Sequence, residues 1–260
     1  MAPRFAVWQA LAWTVAASLG LQLALTAVVV AFRQRVDIVP LGLTQLGVYG
    51  AALILFATVQ QRPLRELLPL RLVPLRLCFV AAVLGVALQF PSTLLANVIE
   101  QFSPLPDEVL QRRLALITPH STLHGVAIVL VVSFIGPAIE EFFFRGALFG
   151  ALRRAHGALT TVLVVSLCFV AAHLDLRLLL PLLPAAWLMG ELRERTGSLW
   201  PSLSLHAGFN SLTLFGVFAG LTPNGKPPPM PLWIAFLACV AAAGLFRIIR
   251  RIAGSSAQHD

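Results

Sequence analysis

The residues of this chain whose types and spacing can do chemistry are two adjacent glutamates, one arginine, two histidines and an asparagine. Glu140, Glu141 and Arg145 lie in the run SFIGPAIEEFFFRGALFGALRR, His173 closes FVAAH, and His206 and Asn210 bracket HAGFN. A carboxylate and an imidazole can together activate a water and shuttle its proton. Imidazole and carboxamide N–H groups can hold the charge that grows on a carbonyl oxygen under attack. That is the equipment for hydrolysing a peptide bond.

Helical spacing sorts these residues. Glu141 and Arg145 are four apart, share a helix face and can pair. Glu140 points roughly 100° away and is left without that partner; a desolvated carboxylate of this kind readily takes a proton, as a general base must. Phe169 and His173, and His206 and Asn210, repeat the four-residue spacing and so present each pair on one face. Pro137 removes a backbone hydrogen bond and predicts a local kink just before the glutamates.

All of these groups sit in apolar runs, where an ionisable side chain costs about 2.5–3.5 kcal/mol on insertion scales. The 260 residues are 58% hydrophobic and only 12% charged, against about 25% charged in a soluble domain, too little polar surface to coat a soluble protein. Eight hydrophobic segments are expected, at about 5–32, 38–59, 77–99, 124–152, 158–173, 176–192, 199–220 and 231–249. Runs of roughly 20 apolar residues cross a bilayer as helices, because lipid leaves backbone groups no other partner. The expected fold is therefore all-α: a polytopic transmembrane bundle of about eight helices with the site in a cavity between them. The first run is long for a signal-peptide core and reads as a retained span.

The chain divides into N-terminal transmembrane helices (1–123), a catalytic core (124–220), and a closing part (221–260) of proline-rich loop, last helix and basic tail. Asp107, Glu108, Arg112 and Arg113 suit a surface helix in the connector 100–123. Cys78, Cys168 and Cys239 form no CxxC pair and support neither a disulfide framework nor a cysteine zinc site. No internal repeat is evident.

Charge sets the expected orientation. One side carries Arg4, Arg62, Arg65, Arg71, Arg76, Arg153, Arg154, Arg193, Arg195, Arg247, Arg250 and Arg251; the other carries Arg33, Arg35, Arg112, Arg113, Arg177 and Lys226. Both termini are thus expected to be cytoplasmic. In that topology Glu140, His173, His206 and Asn210 all fall roughly 14–24 Å from the same face. The net charge of +8 is explained by these short loops and by anionic lipid headgroups, so no nucleic-acid partner is expected.

The three clusters resemble the CPBP intramembrane proteases, which include the type II CAAX prenyl endopeptidases. EEFFFRG is similar to that family's EExxxR motif, FVAAH to its FxxxH motif, and GSLWPSLSLHAGFN to its HxxxN motif and lead-in. The resemblance covers about 135–215. It implies that Glu140 with His173 activates a water, that His206 and Asn210 stabilise the oxyanion, and that Glu141 and Arg145 shape the site, with Phe169 supporting. Prenylated substrates are not implied. The expected substrate is a membrane-associated protein or peptide, and the expected location a bacterial inner membrane. Glu140, His173 and His206 are also the ligand types of a catalytic zinc, although HExxH is absent.

Other readings stay open. A proton-coupled transporter also buries carboxylates and histidines, but carriers often show repeated halves and here the polar groups cluster in one half. A silent scaffold or bacteriocin self-immunity protein is the remaining alternative; loss of a motif residue would favour it, and none is lost. Phe142, Phe143, Phe144 and Phe169 read as packing residues, Glu191, Arg193, Glu194 and Arg195 as a solvated helix end. His120, His124, His156 and His259 receive no role, and the sequence carries no signal for oligomeric state.

Overall fold

The computed structural model describes residues 5–32, 37–222 and 225–256, which form helices and turns with no strand among them. Arg4, Arg33, Arg35 and His259, all singled out above, lie outside the described residues. Each hydrophobic run becomes a helix. These are α1 (Val7–Ala31), α2 (Ile38–Val59) and α3 (Leu75–Phe102), the surface helix α4 (Asp107–Ile117), α5 (Thr122–Arg153), α6 (Ala158–Ala171), α7 (Leu179–Thr196), α8 (Trp200–Phe218) and α9 (Leu232–Ser256).

Five of the described helices, α1, α2, α3, α5 and α9, are long and apolar enough to cross a membrane. The other three hydrophobic runs fall short of that standard: α6 has 14 residues, α7 ends in charge, and α8 carries the polar HAGFN. The protein is an integral membrane protein built as a helical bundle. Its outer faces are apolar: Trp8, Leu11, Val15, Leu19 and Leu23 stand exposed along α1, an arrangement that lipid favours and water does not.

Sequence explains how α5 bends around its glutamates. The helix widens into a π turn over Leu130–Ile135 and again over Phe142–Leu148, with an α-helical stretch, Gly136–Glu141, between them. In the first wide turn the Gly136 N–H reaches back to the Val131 carbonyl. The next donor in that pattern would be residue 137 to the carbonyl of 132, and Pro137 has no N–H. The kink expected at Pro137 is thus a wide turn that leaves the Val132 carbonyl free, and Asn210 of α8 donates its Nδ2–H to it at 2.9 Å.

Helix α8 is held from behind by α3. A methyl on Gly85 would overlap the Leu205 carbonyl, and one on Gly208 would overlap the Ala82 carbonyl. The two backbones touch where glycine alone leaves room, as in close membrane helix pairs. Gly208 lies between His206 and Asn210, so this contact sets the depth of both side chains.

Candidate active site

Four of the expected residues meet in one cavity of about 370 Å³. Glu140, His173, His206 and Asn210 line it, with Phe144 and Phe169 among its walls. Such a volume lies within the range of ligand pockets. Glu141 and Arg145 do not line it. They lie sealed behind it, each 0% exposed.

The sealed pair forms the foundation. Arg145 Nη1 donates to Glu141 Oε1 at 2.8 Å, and Nη2 donates to the Ala186 carbonyl of α7 at 3.0 Å. The guanidinium also lies 4.2 Å from the centre of the Phe169 ring, a cation–π contact that strengthens out of water. Removing one partner of such a buried pair leaves an uncompensated charge, so the pair ties α5 to α6 and α7.

Glu141 also faces His206. Its Oε1 lies 3.2 Å from His206 Nδ1. An ionised carboxylate accepts only, so Nδ1 carries the proton of this contact. The other ring nitrogen, Nε2, points toward the cavity face and lies 3.7 Å from Glu140 Oε2.

Glu140 is not left alone, as helical spacing had implied. Gln45 of α2 donates from Nε2 to Glu140 Oε1. The second oxygen, Oε2, is the one turned toward His206. Spacing along one helix cannot reveal a partner supplied by another, and Gln45 is 95 residues away. A signal existed: Gln45 and Tyr49 are polar residues inside an apolar run, the same anomaly that picked out Glu140. Both line the cavity, and Tyr49 packs its ring at 5.4 Å from Phe143 and 5.9 Å from Phe144.

His173 sits in the turn just beyond α6 rather than on the helix. Its contact with residue 169 survives, because Nδ1 lies 3.0 Å from the Phe169 carbonyl. A carbonyl accepts, so Nδ1 is the protonated nitrogen and Nε2 keeps its lone pair in the neutral ring. Phe169 separates the two histidines, with ring centres 5.1 Å from His173 and 5.5 Å from His206. It is both packing residue and spacer.

Of the zinc-type ligands, Glu140 Oε2 and His206 Nε2 lie 3.7 Å apart. Glu140, His173 and His206 are absent from the one group of three or more ligand atoms found within 4.8 Å of one another among the described residues.

Two readings at the rim need correction. Arg193 is half-buried, donates to the Arg145 carbonyl at 3.1 Å and lies over the Phe149 ring, so it is not part of a solvated face. Its neighbours are, in the exposed pairs Arg195–Glu191 and Arg153–Glu194. His124, left without a role above, is buried at the helix start and bonds Asp37 at 2.8 Å.

A helical membrane protein whose bundle encloses carboxylates, imidazoles and a carboxamide has the makings of a membrane-embedded hydrolase. Residues 122–212 match the family described as type II CAAX prenyl endopeptidase Rce1-like. No curated protein and no solved structure matches the chain. The match supports a protease, and it spans every expected site residue, while Gln45, Tyr49 and α3 lie outside it.

Proposed function

We propose that the chain is an intramembrane endopeptidase that cleaves a membrane-associated protein or peptide with a water activated by Glu140 and His173. One observation carries this reading: Glu140, His173, His206 and Asn210 face one cavity while the Glu141–Arg145 pair is sealed behind it. Gln45 occupies Oε1 of Glu140 and leaves Oε2 to take a proton from water. His173, with Nδ1 turned to its own backbone, offers Nε2 as acceptor to the same water. His206 enters protonated on both nitrogens, with Glu141 as its counter-ion, and as the carbonyl becomes tetrahedral its Nε2–H and the second amide proton of Asn210 donate to the oxygen. Collapse of the intermediate returns a proton from Glu140 to the leaving amine.

The positive loops favour an orientation with both termini in the cytoplasm, and a bacterial inner membrane is the setting this reading takes. The family's name points to prenylated CAAX substrates; nothing in the cavity lining requires a prenyl group, so the proposed substrate class stays membrane-associated peptide.

The test is cleavage of a peptide library by detergent-purified protein, comparing the native chain with Glu140→Gln, with and without a chelator. Cleavage lost in Glu140→Gln and kept with chelator supports the mechanism. Loss with chelator and recovery with zinc moves it to a metal. Equal cleavage by native chain and variant, on a library that a known relative cuts, sinks the catalytic reading.

A further inference from the structure

Away from this cavity, Asp37, His120 and His124 bring three metal-type ligands to one point. Asp37 caps the start of α2, His124 lies in the first turn of α5, and His120 precedes that turn. One ligand atom from each lies within 4.8 Å of the others, and among the described residues no other group of three or more His, Cys, Asp or Glu does this. His124 Nε2 is 2.8 Å from Asp37 Oδ1, and His120 Nε2 is 4.0 Å from Asp37 Oδ2. Tetrahedral zinc with bonds of about 2.0–2.1 Å keeps its ligand atoms about 3.3 Å apart. The three ligand atoms lie within 4.8 Å of one another, so side-chain rotation has to draw them inward by about an ångström to reach that spacing.

We infer that Asp37, His120 and His124 form a zinc-binding site at the membrane surface, separate from the cavity that holds Glu140. Two imidazoles and a carboxylate are a donor set that zinc takes, with the fourth position open to water. Access is provided, since His120 is 72% exposed and Asp37 39% exposed while His124 is buried. The rings of His120 and His124 are stacked at 3.9 Å and 22°, and both present Nε2 to the Asp37 carboxylate.

In the metal-free chain the His120 amide donates to His124 Nδ1 at 3.3 Å, so Nε2 holds the proton shared with Asp37. Zinc takes Nε2 and the proton moves to Nδ1, so that His124 stays a neutral ligand. The His120 amide bond to Nδ1 and the Nε2–H bond to Asp37 are given up for three coordinate bonds. The site would clamp the start of α2 to the start of α5. Ile38, the next residue after Asp37, lines the catalytic cavity, so the clamp fixes one wall of its mouth.

The experiment is zinc titration of the full chain in detergent, tag removed and stripped with a chelator, against a competing fluorescent chelator. Native protein, His120→Ala, Asp37→Asn, His124→Ala and a Glu140→Gln/His206→Ala variant are compared. The expected result is one zinc per chain in the native protein and in the Glu140→Gln/His206→Ala variant. Binding should weaken roughly 100-fold or more in His120→Ala, beyond what outer-shell losses cause. His120 is exposed, so that variant keeps its fold and remains decisive if His124→Ala does not. Zinc binding that survives His120→Ala, that disappears with Glu140→Gln/His206→Ala, or that is absent from the native chain overturns the inference. The result stands apart from cleavage, which can succeed or fail without it.

Discussion

The two faces of α5 hold the same side chain in opposite surroundings. Glu141 is sealed, paired with Arg145 and set beneath His206, whereas Glu140, one residue earlier, faces a cavity and keeps one oxygen open. The roughly 100° step of a helix is enough to make one glutamate a counter-ion and its neighbour a candidate base. Residue type does not decide the role; the depth of the surrounding side chains does.

The comparison can be broken most directly at Glu140. In Glu140→Gln, peptide cleavage should fall about 10²–10⁴-fold while the unfolding midpoint stays nearly unchanged, because the shape is kept and no buried charge is stranded. A variant that cleaves slowly only because it unfolds would erase the difference between the faces.

Arg145→Leu should do the reverse. Stranding Glu141 costs about 3–5 kcal/mol, read by denaturant or thermal unfolding in detergent. Joining it to Glu141→Leu should restore much of that stability, yet not cleavage, since His206 then lacks its carboxylate. Full recovery of both would mean that the sealed pair only holds helices together.

Asn210→Ala sharpens the cavity side. The expected loss is about 10²–10³-fold in kcat with little change in KM, the signature of an interaction made in the transition state. A change confined to KM would assign Asn210 to substrate binding instead.

The smallest effect is expected at the surface, in the link between α4 and the turn before α7. Hydrogen bonds from Arg177, and a further one from Arg113, hold the Asp175 carboxyl well below the usual carboxylate range, against the opposing effect of burial. A depressed folded-state pKa contributes stability that is present above the unfolded value of about 3.9 and lost as pH falls through the folded one. Asp175→Asn should therefore cost about 1 kcal/mol at neutral pH, and the gap from native should close in acid. A gap that widened in acid would contradict this sign.

Much of this was legible in the sequence, for reasons that particular residues make clear. Runs long enough to cross a bilayer announce themselves, and the ends of α2 coincide with the expected 38–59. The Glu141–Arg145 pair follows from helical spacing alone. What spacing could not supply was anything crossing between helices: the Gln45 bond to Glu140, the Arg193 bond to the Arg145 carbonyl, the joining of Asp37 to His124. The wide turns were hidden too. Pro137 announces a missing donor, but only the bundle shows that Asn210 takes the place left at Val132.

The bare contact between α3 and α8 bears on how such a protein can be rebuilt. The stretch that matches the family, 122–212, is gripped at Gly208 by a helix that lies outside it. It is therefore not a cassette that can be moved into another membrane scaffold. A chimera would have to bring along a neighbour with an unobstructed backbone opposite Gly208 and a glycine matching Gly85. The portion that matches the family is smaller than the portion that must move as one piece.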